Sequence, residues 1–301
     1  VRLVSLSATV SNAEEFGAWL SEVRGETAVV VSEIRPVPLW QHMMVRHEIL
    51  DLYTSHVDPT SPGANPPVNP DLLEAVRRAE RTTDSGGGRP ARGRNGRERS
   101  RGHQGGGARG GIRPPRRDVV VERLDAAGLL PAIVFIFSRA GCEAAVDQVL
   151  AAGTRLTTEA ERREIATILE PFSERIPAED LHAVNYSAFA SAALRGVASH
   201  HAGMLPVFKE AVEALFVRGL IKVVFATETL ALGINMPARS VVIERLIKWD
   251  GREHAAVTPG QYTQRTGRAG RRGIDVEGHA VVLYGSGVDP LAVAGLASRR
   301  T

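Results

Sequence analysis

Apolar positions along this 301-residue chain fall into two alternating rhythms. Residues 131–138 form a nearly continuous apolar run, as expected of a central parallel strand, and residues 197–199, 221–226, 240–244 and 278–284 also read as strands. Between and around them, residues 118–127, 140–151, 157–169, 177–194, 205–217, 258–268 and 289–297 carry apolar side chains at helical spacing. Strands alternating with helices of this length predict an α/β fold with a doubly wound parallel sheet. Upstream, residues 1–6 read as a strand ending in Ser7-Ala8-Thr9. Ser11 and Glu14 have capping-box spacing and predict a helix from Asn12 to about Leu20, and residues 27–32 read as another strand.

Pro36 and Pro38 interrupt this pattern, so residues 36–54 are assigned as a crossing between two domains, extended and then helical. Residues 55–117 shift to Pro, Gly, Ser and Arg, with a short helix expected at 70–81. The part from Gly86 to Arg117 has too few apolar side chains to offset its ordering entropy and is expected to be disordered. The resulting division is 1–35, the end of a first α/β domain; 36–54, the crossing; 55–117, a largely disordered insertion; and 118–301, a second α/β domain.

Charge changes the picture in one respect. The formal net charge is +3, yet residues 86–117 hold 10 Arg and only Glu98 as an acid, which is +9. The remainder is therefore 3 − 9 = −6, and the basic character belongs to the insertion and not to the folded domain. No apolar run is long enough to span a bilayer, so no membrane association is expected. The start has no signal-peptide pattern and opens inside a strand, as if cut from a longer protein. The single cysteine, Cys142, excludes an internal disulfide and a cysteine metal cluster and suits a reducing cytoplasm.

The densest candidate chemistry is Gln264-Arg265-Thr266-Gly267-Arg268-Ala269-Gly270-Arg271-Arg272. On a helix, Arg268 and Arg271 share one face, and Gly267 and Gly270 leave room for a bulky partner. Two guanidinium forks so placed suit a triphosphate; the alternative is a solvated basic helix end. Thr227 and Thr229 follow a strand end, where hydroxyl and N–H groups suit a phosphate, with strand or helix capping as the alternative. Ser138 and Arg139 end another strand, with an N-cap role for Ser138 as the alternative. His200 and His201 are adjacent, so on a strand they point to opposite faces. No acidic or cysteine cluster accompanies them, and no metal site is expected.

Taken together, these strings resemble the motifs of superfamily 2 helicases. The arginine-rich string is similar to motif VI, Ser7-Ala8-Thr9 to motif III, and Phe135-Ile136-Phe137-Ser138-Arg139 to motif IV. Ser199-His200-His201-Ala202-Gly203-Met204 resembles the motif after it, and Ala226 through Pro237 resembles motif V. Gly233-Ile234-Asn235-Met236-Pro237 and the leading Gln264 differ from the DEAD-box pattern of Gly-x-Asp and a leading His. They look like the Ski/Mtr type of DExH helicase. The resemblance covers 1–38 and 118–301.

It implies a RecA-like second helicase domain preceded by the C-terminal edge of a first. It implies ATP held between the two, with Arg268 and Arg271 as catalytic charge neutralisers and Gln264, Gly233 and Asn235 facing the nucleotide. Ser138, Arg139, His201, Thr227 and Thr229 would face single-stranded RNA or DNA, and Ser7 and Thr9 would couple the domains. Gly-Lys-Ser/Thr and Asp-Glu strings are absent from the 301 residues. The resemblance therefore implies that the groups holding Mg²⁺ and the β/γ-phosphates lie in the upstream RecA-like domain, and that this chain alone is inactive. Two rival readings are a non-catalytic nucleic-acid-binding module built on the Arg/Gly-rich segment, and a DNA-repair or restriction translocase.

Overall fold

The computed structural model describes residues 4, 13–30, 35–55, 66–84, 112–231, 236–249, 254–285 and 287–298. Seven strands form one sheet: β1 (Leu39–Val45), β2 (Glu48–Asp51), β3 (Ala132–Phe135), β4 (Val197–His200), β5 (Val223–Ala226), β6 (Ser240–Ile243) and β9 (Gly278–Leu283). Their order is β2-β1-β9-β6-β3-β5-β4, and every neighbouring pair is parallel except β1 with β2. The order reverses around β3, which makes the sheet doubly wound, as the alternation of runs implied.

β3, β4, β5, β6 and β9 are buried at every position, because helices cover both faces. Alternate residues serve opposite layers. Ala132 and Val134 pack with α3 (Arg117–Ala126) and α4 (Arg139–Ala151). Ile133 and Phe135 pack with the layer that includes α2 (Pro70–Asp84), α5 (Glu159–Ser173), α7 (Pro206–Val217), α8 (Pro259–Thr266) and α9 (Pro290–Ser298). α2 shows why its stretch is helical: Leu72, Ala75, Val76 and Ala79 line one buried stripe at helical spacing, and the remaining positions are mostly charged.

Four expectations change. Residues 39–54 do not turn helical. They form a hairpin, β1 and β2, on the edge of the main sheet, turning at Arg46 with φ 57°. Strand β1 gains a full parallel ladder with β9, and that ladder outweighs local helix preference. The helix expected over 177–194 is only α6 (Tyr186–Leu194), because Asn185 sits in the left-handed region at φ 56° and residues before it run as turns. Residues 27–30 are not in a strand. A short hairpin, β7 (Ile247–Trp249) with β8 (His254–Ala256), occupies a stretch for which the sequence predicted no element. The helix after Ser11 is α1 (Ala13–Arg24). The strand expected at 1–6 and most of the segment expected to be disordered, 86–111, lie outside the described residues.

Candidate nucleotide and nucleic-acid interface

Because β3, β4 and β5 are parallel neighbours, the residues following each of them meet at one edge of the sheet. Ser138 follows β3 and caps α4, its Oγ accepting from the Gly141 N–H at 3.0 Å. Its hydroxyl is therefore used in the N-cap, the alternative raised above. Arg139 opens α4 in an exposed position and lies against Gly203; a Cβ there would come within 3.2 Å of the Arg139 Cδ.

His200 and His201 end β4 and are buried. The Gly203 N–H donates to His201 Nδ1 at 3.1 Å, so the ring proton sits on Nε2, which donates to Glu143 at 2.6 Å. Ser199 donates to the same carboxylate oxygen at 2.9 Å. Glu143 lies on α4, so this network ties the end of β4 to the helix that Ser138 starts. Both ring nitrogens of His201 are thus engaged within the chain. His200 pairs with Glu213 of α7 at 2.9 Å, and burial lowers its pKa against the pull of Glu213. Thr227 follows β5 half-buried, its N–H bonded to the His200 carbonyl at 3.2 Å. Thr229 lies in a short 3₁₀ turn, Glu228–Ala231. Gly233, Asn235, Ser7 and Thr9 lie outside the described residues.

The arginine-rich string departs from its expected form. Helix α8 starts at a capping box formed by Thr258 and Gln261 and ends at Thr266, with Gly267 as its C-cap. Arg268 and Arg271 therefore do not share a helix face; they sit on the loop beyond it. The loop is pulled across to the start of β6. Arg268 O accepts from Ala238 N at 2.9 Å, and Gly270 N donates to Ala238 O at 2.8 Å. Gly270 adopts φ +83°, and a Cβ there would lie 2.7 Å from Val37 Cγ1 and 3.4 Å from the Gly278 Cα. The room it leaves is filled by the chain itself and not by a partner.

Three guanidinium groups follow from this path. Arg265 is 1 % exposed, donates to Glu228 at 2.7 Å and stacks 5.2 Å from the centre of the Phe137 ring. Burial lowers its pKa while Glu228 opposes that shift. Its Nε and Nη1 have no hydrogen-bond partner among the described residues. Arg268 is half-buried, and burial lowers its pKa as well. Arg271 makes two bonds to Asp275, at 2.8 and 2.7 Å, which raise its pKa. Gln264 is half-buried on α8. Reading the sequence missed Arg265, Glu228, Glu143 and Asp275 as members of the site. The spacing of Asp275, four after Arg271, was the one local signal for any of them.

Among the described residues no group of three or more His, Cys, Asp or Glu side chains gathers as for a metal ion. None of their helices is long and apolar enough to cross a membrane.

Comparison with known proteins decides the family. The helicase conserved C-terminal domain matches residues 154–273. The probable helicase HelY of Mycobacterium tuberculosis is 53% identical over 304 residues, covering 100% of this chain and 32% of that protein. Along its whole length the chain is similar to one segment of the Ski/Mtr-type DExH helicases, and it carries their helicase C-terminal domain. The Arabidopsis thaliana chloroplastic protein DExH15, a DExH-box ATP-dependent RNA helicase, is 38% identical over 94% of the chain and 24% of its own length. The Saccharomyces cerevisiae antiviral helicase SKI2 is 35% identical over 98% of the chain and 25% of its own length. The chain thus spans about a third or less of these relatives. The matched helicase C-terminal domain carries the RecA-like α/β fold, in agreement with the parallel sheet described above.

Proposed function

We propose that this chain is the second RecA-like half of an ATP-driven nucleic-acid helicase motor in the cytoplasm. Residues 1–35 belong to a first RecA-like domain, and the sheet from β1 onward forms the second. The observation that carries the reading is the buried Arg265–Glu228 pair. It joins the string holding Thr227, at the strand ends, to the string holding Arg268 and Arg271, so a shift in one displaces the other.

In this reading Thr227 and Arg139 contact the phosphates of a single RNA or DNA strand, while Ser138 and His201 hold those contacts in place. Backbone contacts of this kind carry no base information, so binding is weakly sequence-specific. Arg268 and Arg271 face the triphosphate across the domain cleft and neutralise charge developing on the transferred phosphoryl group. Asp275 keeps the Arg271 fork oriented until then. Gln264, Gly233 and Asn235 line the nucleotide side, and Ser7 and Thr9 couple the two domains. Mg²⁺ would supply charge neutralisation at the phosphates, and by the motif resemblance its ligands would belong to the first domain. Helix α1 supports the two-domain division: Phe16 and Trp19 stack on each other while about half exposed, an apolar face suited to burial against the rest of a first domain.

The test is nucleic-acid-stimulated ATP hydrolysis and unwinding by the complete protein on RNA, DNA and hybrid duplexes with either overhang. This chain alone is expected to hydrolyse no ATP. A complete protein whose ATPase ignores every nucleic acid offered would overturn the reading.

A further inference from the structure

We infer that a basic groove at the opposite end of the same strand edge is a second binding site for the phosphodiester backbone of nucleic acid. The groove lies where the β1–β2 turn meets the start of α3 and has a volume of about 610 Å³. Arg46, His47, Arg113, Arg116 and Arg123 line it, against Glu122 as the single carboxylate of the lining.

The arginines differ in how far they are committed. Arg46 is tied to α2 through the Ala79 carbonyl at 3.2 Å and Thr82 Oγ1 at 2.6 Å, which fixes the turn. Arg116 pairs with Asp118 at 3.0 Å. Arg113 and Arg123 are exposed, and their guanidinium groups have no hydrogen-bond or ion-pair partner among the described residues. Helix α3 also begins here with Arg116 at its N-cap and no side chain bonded to its first N–H groups. A ten-residue helix with an uncapped N-terminus adds partial positive charge to the arginines. Such a cluster repels itself until an anion enters.

The groove is open and lacks an aromatic wall, so it suits a chain of phosphates and offers no enclosure for a base. The chain's own neighbouring segment is not a suitable occupant. Residues 86–111, which rejoin the fold at Ile112, carry seven Arg against one Glu and are repelled.

Position favours the same ligand as the motif edge. The turn at Arg46 follows the C-terminal end of β1, and Arg117, which starts α3, pairs with Glu244 beyond the end of β6 at 2.8 Å. The groove therefore lies on the edge where Ser138 and Thr227 sit. From β1 to β3 is three strand steps, through β9 and β6. At roughly 4.8 Å per step this is about 14 Å. A few nucleotides of one strand bridge a gap of this length. A strand held at Arg139 and Thr227 can thus continue into the groove, which lengthens the footprint without joining the chemistry.

This inference rests on the proposed action on nucleic acid, and the experiment separates the two. The complete protein is titrated with a fluorescent single-stranded oligonucleotide and with a duplex of the same length, across a range of potassium chloride. For Arg113→Ala/Arg123→Ala, the slope of log K against log salt is expected to flatten. The expected change is about 0.7 per lost phosphate contact on the strand and about 0.9 on the duplex. Arg113→Lys/Arg123→Lys should keep the parent slope, because an ammonium also neutralises a phosphate. Arg163→Ala/Arg218→Ala, an equal charge change on α5 and at the end of α7, should also keep it. A parent-like slope on both probes for the Arg113/Arg123 alanine variant, with Thr227→Val still weakening binding, overturns the groove and leaves the motor reading intact. Absence of binding to either probe by the parent protein overturns both.

Discussion

The network at the ends of β3 and β4 and the arginine string that ends α8 are built in opposite ways. At the strand ends, Ser138 caps a helix, His201 uses both ring nitrogens within the chain, and Ser199 shares the Glu143 carboxylate. In the arginine string, Arg265 is drawn out of water with incomplete compensation. Arg265 keeps two donors without a hydrogen-bond partner among the described residues, and Arg268 is desolvated. A network whose donors and acceptors are paired within the chain, as those of Ser138, Ser199 and His201 are, holds its shape whether or not a ligand is present. Buried guanidinium groups with unmet donors lower their energy when an anion arrives. The first end is a frame for a backbone that slides; the second is set to respond to charge.

The sharpest way to break this contrast is Arg268→Ala in the complete protein. The kcat for ATP is expected to fall by about 10³ or more, while strand binding measured without nucleotide changes little. A variant with near-parent turnover removes the charge-responsive role from this end.

Stability should separate the ends next. Glu228→Ala leaves the Arg265 charge buried without its counter-ion and should cost about 3 kcal/mol. Glu143→Ala removes the hydrogen-bond acceptor shared by His201 and Ser199 and should cost about 1 kcal/mol. Urea denaturation of the two variants reads the difference, and equal losses would show that both ends are held alike.

Acid probes the arginine end from another side. His279 packs beside the loop, since Gly278 next to it lies against Gly270. Burial, with the His42 ring and Arg239 beside it, pushes the His279 pKa down to about 4. Its folded value is below its unfolded one, so its contribution is fully present above about pH 6.5 and is lost as pH falls towards 4. The loss should approach about 3 kcal/mol. His279→Gln should flatten the fall in denaturation midpoint between pH 7 and 4.5, and an unchanged profile would exclude the buried neutral ring as its source.

The smallest effect belongs to the frame. Thr227→Val removes one hydroxyl contact worth about 1 kcal/mol, near fivefold in affinity. Competition binding with oligonucleotides of different sequence should show the same loss for all. A change in sequence preference would mean that this end reads bases.

Much of this layout was legible beforehand, and the exceptions have definite causes. The apolar runs of β3, β5, β6 and β9 are buried on both faces, so their density alone marked them. The β1–β2 hairpin turns on Arg46 and His47, with no Gly, Asn or Asp to signal it. Its seven-residue strand owes its form to a ladder with β9, more than 230 residues away in sequence. Asn185 ended the supposed helix at 177–194 through its own backbone, a local effect that helical periodicity outweighed.

The same division runs through the site. Residue order alone placed arginines, glycines and threonines in strings whose types and spacing point to phosphate, since those choices are chemical and local. Which arginine is buried and which is clamped was settled by folding. Helix α8 ends at Thr266, and Ala238 draws the following loop onto the start of β6. Glu228, 37 residues before Arg265, becomes its counter-ion only when the connection after β5 comes to lie beside that helix. Such pairings depend on the path of the chain through space, and helical or strand periodicity carries no record of it.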